Sequence, residues 1–239
     1  MMARHVVILR PNDNSSELST AIRDRGMEPI IEPILSIQYL QADYSGVEPD
    51  SPLIFTSANA VKAFAAVNST RDHPIYTVGR NTADIARSSG FQNIESALGT
   101  VDDLVELFTN TLKTTQNAPV YVRGDDISAD LSGIFAKKGL NIVEITAYKA
   151  HPAENLSINL LKAADKGQIS GIMFFSARGA RTFAALAEQY GRQRAMKAIK
   201  ALCISDAVVD CLTGLPFQEV VVAVQPNRYG MIQLLDRLS

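Results

Sequence analysis

The chain repeats itself, and the repeat limits what it can fold into. Displaced by 113 positions, the N-terminal stretch lies without a gap on a stretch near the middle. Val7, Leu9 and Arg10 then face Val120, Val122 and Arg123, while Leu18, Ile22 and Gly26 face Leu131, Phe135 and Gly139. Each copy reads as an apolar strand ending in arginine, a polar turn, an amphipathic helix stopped by glycine, and a second apolar strand. A second echo, at 119, sets Phe55, Ser57, Ala58 and Phe64 against Phe174, Ser176, Ala177 and Phe183. A third, at 126, sets Val78 against Ile204 and Ala97 against Ala223. The blocks run a-b-c-a-b-c, which predicts two similar α/β units with a cleft between them. Two tandem domains satisfy this order. So does a circularly shifted arrangement, in which the last b-c pair closes the first domain and the middle b-c-a forms the other. Periodicity does not choose between them.

Within each block, short β-branched runs alternate with helical patterns, the signature of a parallel sheet covered on both faces. Strands are expected at Val6–Leu9, Pro29–Ile34, Leu53–Thr56, Ile75–Val78, Asn93–Ser96, Val120–Arg123, Asn141–Tyr148, Gly171–Phe175, Ala201–Ile204 and Glu219–Ala223. Ten strands with a helix after most of them make two five-stranded doubly wound, flavodoxin-like sheets. Helices are expected at Ser15–Arg25, Ala58–Ala66, Asn81–Ser88, Val101–Leu112, Ala129–Lys137, Leu156–Lys166, Ala177–Tyr190, Ala207–Leu212 and Tyr229–Leu238. Gly26, Gly90, Gly139 and Gly191 fall just past helix ends, where a left-handed backbone suits glycine. Ile34–Tyr39 and His151–Glu154 read as linkers.

Composition removes several functional classes. With a net charge of −2 and a pI near 5.9, the chain has no global field to attract nucleic acid. No apolar run approaches the roughly 18–20 residues of a membrane helix, and no signal-peptide pattern opens the chain, so a cytoplasmic protein is expected. Cys203 and Cys211 form no CxxC, and His5, His73 and His151 are scattered. Reduced thiols and no metal site follow. There is no GxGxxG after the first strand, no P-loop and no GxSxG elbow.

What remains lies where strands run into helices. In open α/β sheets ligands bind beyond the carboxyl ends of the strands. Those ends carry Arg10-Pro11, Thr56-Ser57-Ala58-Asn59, Val78-Gly79-Arg80-Asn81-Thr82, Arg123-Gly124 and Ser176-Ala177-Arg178-Gly179. Free backbone N–H groups and the positive end of a helix dipole suit carboxylates or phosphates. Taken singly, Ser57, Ser176, Asn81 and Thr82 read as helix caps. Taken together, with Arg10, Arg80, Arg123 and Arg178 beside them, they read as an anion-binding cleft. With no strong acid, base or metal in view, an enzyme built this way works by positioning and fixed dipoles.

Leu9-Arg10-Pro11, Phe55-Thr56-Ser57-Ala58-Asn59-Ala60-Val61, Val78-Gly79 with Thr82-Ala83 and Gly90, Gly139 before Ile145-Thr146-Ala147-Tyr148, and Phe174-Phe175-Ser176 occur in a specific order and spacing. In this the chain resembles the uroporphyrinogen-III synthase family over essentially its whole length. The resemblance implies the shifted arrangement: residues 1–35 with 152–239 form one domain, 36–151 the other, and two extended linkers join them; the connections Ile34–Tyr39 and His151–Glu154 themselves predict hinge motion with closure on ligand. It implies a cofactor-free enzyme, monomeric, that cyclises hydroxymethylbilane, a linear tetrapyrrole with eight carboxylates, with inversion of the last pyrrole ring and loss of water. Tyr148 then matches the cleft tyrosine that meets the departing hydroxyl. Arg10, Ser57, Asn59, Gly79, Thr82, Arg123, Ser176 and Arg178 are the expected substrate contacts. Ser205 and Val208 replace a usual Gly and Thr, and Ser128 stands where an arginine is common. Those departures motivate a second reading, a non-catalytic two-lobed protein that binds a tetrapyrrole or another polyanion. A receiver-like or sugar-binding α/β protein is a third.

Overall fold

The computed structural model describes residues 4–10, 15–97, 99–111, 117–127 and 129–238. In chain order the elements begin β1 (His5–Ile8), α1 (Ser16–Arg23), β2 (Glu28–Ile31), β3 (Leu35–Tyr39), β4 (Leu53–Phe55), α2 (Ala58–Val67), β5 (Ile75–Thr77) and α3 (Arg80–Ser88). They continue with β6 (Ile94–Ser96), α4 (Val101–Thr111), β7 (Val120–Gly124), α5 (Leu131–Ala136), β8 (Val143–Pro152), α6 (Ile158–Asp165) and β9 (Ile169–Phe174). The last are α7 (Ala177–Gln189), β10 (Lys200–Cys203), α8 (Asp206–Val209), β11 (Glu219–Val222) and α9 (Arg228–Gln233). The chain divides into two compact units, Met1–Ser36 with His151–Ser239, and Ile37–Ala150.

The first unit holds a five-stranded sheet in the order β11-β10-β9-β1-β2, with every neighbouring pair parallel. Numbered within the unit this is the 2-1-3-4-5 order of flavodoxin-like folds, read from the other edge. Successive side chains alternate between two dry layers, as a sheet buried on both faces requires. Val7, Leu9, Ile172 and Phe174 pack with Leu160, Phe183 and Val208 on one face. Val6, Ile8, Met173 and Leu202 pack with Leu18, Ile22, Met231 and Leu235 on the other. Glu32, 3% exposed, lies among these layers. Its carboxylate accepts the Ser157 backbone N–H at 2.8 Å and also the Ser157 hydroxyl. Ser157 Oγ in turn accepts Leu160 N–H at 3.2 Å as the N-cap of α6.

The second unit repeats the plan in a six-stranded sheet, β3-β8-β7-β4-β5-β6. Leu53, Phe55, Val120 and Val122 meet Val61, Phe64 and Ala86 on one face, and Ile54, Tyr76 and Tyr121 meet Leu104, Phe108 and Phe135 on the other. The three sequence displacements are structural equivalences. Val7 pairs with Ile30 as Val120 pairs with Val143, and Val7 with Ile172 as Val120 with Leu53. Ile172 pairs with Ala201 as Leu53 with Ile75, and Ala201 with Val220 as Ile75 with Ile94. Repeated residues therefore keep the same register in both sheets.

Two expectations need correction. Ile34–Tyr39, read as a linker, contains β3, which makes the second sheet six-stranded where five strands were expected, and β8 runs past Tyr148 to Pro152. The reason is backbone hydrogen bonding. Leu40 N–H donates to Ala147 O and Ala153 N–H to Ile34 O, each at 2.9 Å, so one strand ascends as the other descends. The second correction concerns the expected helices Ala207–Leu212 and Tyr229–Leu238, whose later halves tighten into 3-10 turns at Asp210–Leu212 and Leu234–Leu238. The glycine assignments hold: Gly26, Gly90, Gly139 and Gly191 all have positive φ, between 62° and 94°.

Candidate functional site

In both units the strand order reverses at one point, between β7 and β4 in one and between β1 and β9 in the other. Helices leave such a point on opposite faces, so the carboxyl ends of its two strands border a crevice. Sequence-expected site residues stand at both points.

At the β7/β4 point, Ser57 is the N-cap of α2, and its Oγ accepts Asn59 N–H at 3.1 Å. The same oxygen accepts the Tyr148 hydroxyl at 3.0 Å. Tyr148 belongs to β8, two strands from β4, so its ring crosses the end of β7 to get there. A register irregularity follows Arg123, which pairs with Thr146 while Gly124 pairs with Tyr148. The extra residue, Ala147, is fully buried. Bulges of this kind re-aim the side chains beside them. Tyr148 is therefore half-buried within a strand, where sequence reading had it ending one.

Arg123 is held in place. Its Nε donates to Glu144 at 2.7 Å and one terminal nitrogen donates to Gly124 O at 2.9 Å. Glu144 also accepts the Ser132 hydroxyl. Tyr121, on the other face of the sheet, shares a 3.1 Å hydrogen bond with Thr56 Oγ1, and burial pushes its phenol above the ordinary range. Beyond β5, Gly79 is the N-cap of α3 without a capping side chain, so Asn81 and Thr82 are not its caps. They lie inside the helix, beyond the position from which a side chain reaches the first N–H groups. Thr82 is 6% exposed, on the face turned to the core.

At the β1/β9 point, Ser176 caps α7 by accepting Gly179 N–H at 3.1 Å. Arg10 lays its guanidinium over the Phe175 ring at 4.7 Å. Arg178 sits in the first turn of α7. Ser205 precedes α8 without a side-chain cap bond, and Val208, 2% exposed, is a core residue. It occupies the position of Thr82 in the repeat, so at this point the sheet needs bulk of that shape rather than a hydroxyl. Pro11 and Ser128 lie outside the described residues.

The structure thus brings Ser57, Asn59 and Tyr148 together by direct hydrogen bonds. Arg123 lies one residue before the end of the strand beside them, and Arg10, Ser176 and Arg178 gather at the other switch point. Sequence reasoning passed over Glu144 and named Gly124 only as part of a strand end. An ion-pair partner one strand away is findable only once β7 and β8 are known to be adjacent. Among the described residues no group of three or more His, Cys, Asp or Glu is placed to hold a metal. Cys203 is no nucleophile, since burial pushes its thiol up to about 12.

Two flavodoxin-like α/β units with polar helix starts at their switch points define the class. The sequence model of uroporphyrinogen-III synthase HemD (HEM4) matches residues 16–233. The chain belongs to the uroporphyrinogen-III synthase family, and its activity is that of the family, in tetrapyrrole biosynthesis. It acts on a small-molecule tetrapyrrole, and none of its described helices is long and apolar enough to cross a membrane. Solved structures agree on the fold. A uroporphyrinogen-III synthetase from Helicobacter pylori is 16% identical with a TM-score of 0.63, covering 99% of this chain and 100% of that one. A mutant uroporphyrinogen III synthase from Thermus thermophilus is 15% identical with a TM-score of 0.58, covering 99% and 98%. No curated protein sequence gives a significant match.

Proposed function

We propose that the helix starts at the two switch points hold the carboxylates of hydroxymethylbilane, and that the Tyr148–Ser57 hydroxyl pair assists departure of its terminal hydroxyl. The observation that carries this is the 3.0 Å hydrogen bond between Tyr148 and Ser57 at the mouth of α2. The bilane's electron-rich pyrrole nitrogens expel the hydroxyl themselves: the C–O bond breaks, the nitrogen lone pair forms a C=N bond, and the hydroxide takes up the proton that the ring nitrogen releases and leaves as water. The azafulvene left behind closes spontaneously to the uninverted isomer. The protein's task is to fold the chain so that the substituted carbon of the last ring attacks first, through a spiro intermediate. That is a positioning task, helped by fixed dipoles near developing charge.

Each part has a named holder. Ser57, Asn59, Gly79 and Arg123 are the proposed holders in the second unit, and Arg10, Ser176 and Arg178 those in the first. Helix-start N–H groups donate to carboxylates without a titrating base. Arg10 has the plane of its guanidinium set by the Phe175 ring beneath it. The enzyme works as a cytoplasmic monomer without cofactor or nucleic acid. Titrating the labelled protein with uroporphyrinogen III tests the placement. Amide signals of Ala58, Asn59, Arg178 and Gly179 are expected to move together and saturate. Shifts confined to other surfaces would refute it.

A further inference from the structure

The repeat supplies an internal control for the Tyr148–Ser57 pair. Ser176 is the equivalent of Ser57 at a displacement of 119, and it caps its helix in the same way. At 113, however, Tyr148 faces Leu35 and Gly124 faces Pro11. One unit therefore carries a glycine–tyrosine–serine set that the other lacks. What the glycine does is visible in the space around it. A Cβ built on Gly124 would lie 2.8 Å from Tyr148 Cζ, 2.9 Å from Cε2 and 3.0 Å from the hydroxyl oxygen. Contacts that short do not occur between carbon atoms at rest, so any other residue at 124 would displace the ring. The need is for space alone: Gly124 is not among the glycines with positive φ.

The hydrogen bonds have a direction. Tyr148 donates to Ser57 Oγ, and Asn59 N–H donates to the same atom. A serine hydroxyl has two acceptor sites and one proton. With both acceptor sites filled from within the protein, Ser57 has only its proton to offer.

We infer that Gly124 is a positioning residue that lets the Tyr148 ring cross β7, and that Ser57, oriented by Tyr148, presents the hydrogen-bond donor to an acceptor oxygen of the substrate. This rests on the functional reading above and refines it. The phenolic proton fixes Ser57 as a donor, and the serine proton meets the departing oxygen. No atom changes owner in this arrangement; the substrate supplies the driving force for C–O cleavage, and Ser57 stabilises the charge that gathers on oxygen.

The test uses the full chain with Ser57→Ala, Tyr148→Phe, Gly124→Ala and their pairs. In the free protein, the Cζ signal of 13C-labelled tyrosine 148, assigned by its loss in Tyr148→Phe, should move in both Ser57→Ala and Gly124→Ala. A Tyr148 signal indifferent to Gly124→Ala overturns the inference whatever the activity. In turnover, Ser57→Ala should lower kcat about ten- to hundredfold, the range for one hydrogen bond to a charged group, with KM within about twofold. Gly124→Ala should lower kcat in the wild-type background but add nothing to Tyr148→Phe. Losses that multiply would show that Gly124 acts elsewhere and overturn it. Should Gly124→Ala fail to fold, Gly124→Ala/Tyr148→Leu relieves the clash, and it should fold and match Tyr148→Leu in kcat. Failure of that double variant to fold also overturns the inference. A wild-type protein giving only the type I isomer would instead refute the functional reading and leave the tyrosine signals as the test of geometry.

Discussion

Glu32→Ala is the most demanding perturbation of the first unit. Its carboxylate is almost wholly buried and accepts two hydrogen bonds from Ser157, one from the backbone and one from the hydroxyl. Removing it orphans both donors at the start of α6, and a buried unsatisfied donor costs about 1–3 kcal/mol. Ser157 Oγ still caps Leu160 N–H, so the cap itself survives and a full capping loss of about 1 kcal/mol is not added. The expected loss is about 3 kcal/mol. At about 3 °C per kcal/mol for a unit of this size, the melting temperature should fall by about 9 °C. Glu32→Gln keeps one acceptor oxygen and should lose about half as much. Thermal unfolding followed by circular dichroism measures both. A Glu32→Ala protein melting within 2 °C of the parent, or a Gln variant worse than the Ala variant, would refute the reasoning.

Three further outcomes are expected. His73 is buried, with Nδ1 3.1 Å from Ser51 O and Nε2 without a hydrogen-bond partner among the described residues, and desolvation holds its pKa below the usual value despite Asp50 and Asp72 nearby. The unfolded chain therefore binds this proton more readily, so the urea midpoint should fall as pH drops from 7.5 to 5.5, through about 6.5; His73→Gln should remove most of that decline. Glu144→Gln frees the Arg123 guanidinium and should lower KM at low salt, whereas Arg123→Gln should raise it; steady-state kinetics that leave KM unchanged in both would remove Arg123 from the substrate site. Val208→Thr puts a hydroxyl into a dry layer and should destabilise by about 1–3 kcal/mol without raising kcat, checked by urea titration and turnover.

Much of the fold was legible because the periodicity survives in every block. The displacements that align Val7 with Val120 and Phe55 with Phe174 carry over into identical strand registers. What sequence hid is what depends on distant partners. Leu35–Tyr39 has no turn signal to bound it, and it becomes a strand only because residues more than a hundred positions away supply its hydrogen bonds. Gln193–Ala198 coils as a 3-10 turn with Met196 as its one buried residue, too little to make a helical stripe. At the site, the caps Ser57 and Ser176 could be read locally, since a cap reaches only three residues ahead. Gly124 could not: the clash that demands glycine comes from Tyr148 on the next strand, 24 positions on. The same holds for Glu144 and Arg123, which meet across a strand pair. Val208 looked like a lost hydroxyl beside Thr82 in sequence, and burial makes each a packing residue of its own unit.

The central claim is that this chain folds hydroxymethylbilane so that its last ring is inverted on closure. Hydroxymethylbilane generated enzymatically, incubated with the purified protein, oxidised to porphyrins and resolved by isomer chromatography, tests it directly. Type III is expected as the main product, with the type I fraction falling as protein is added. Type I alone, at any protein concentration, would contradict it.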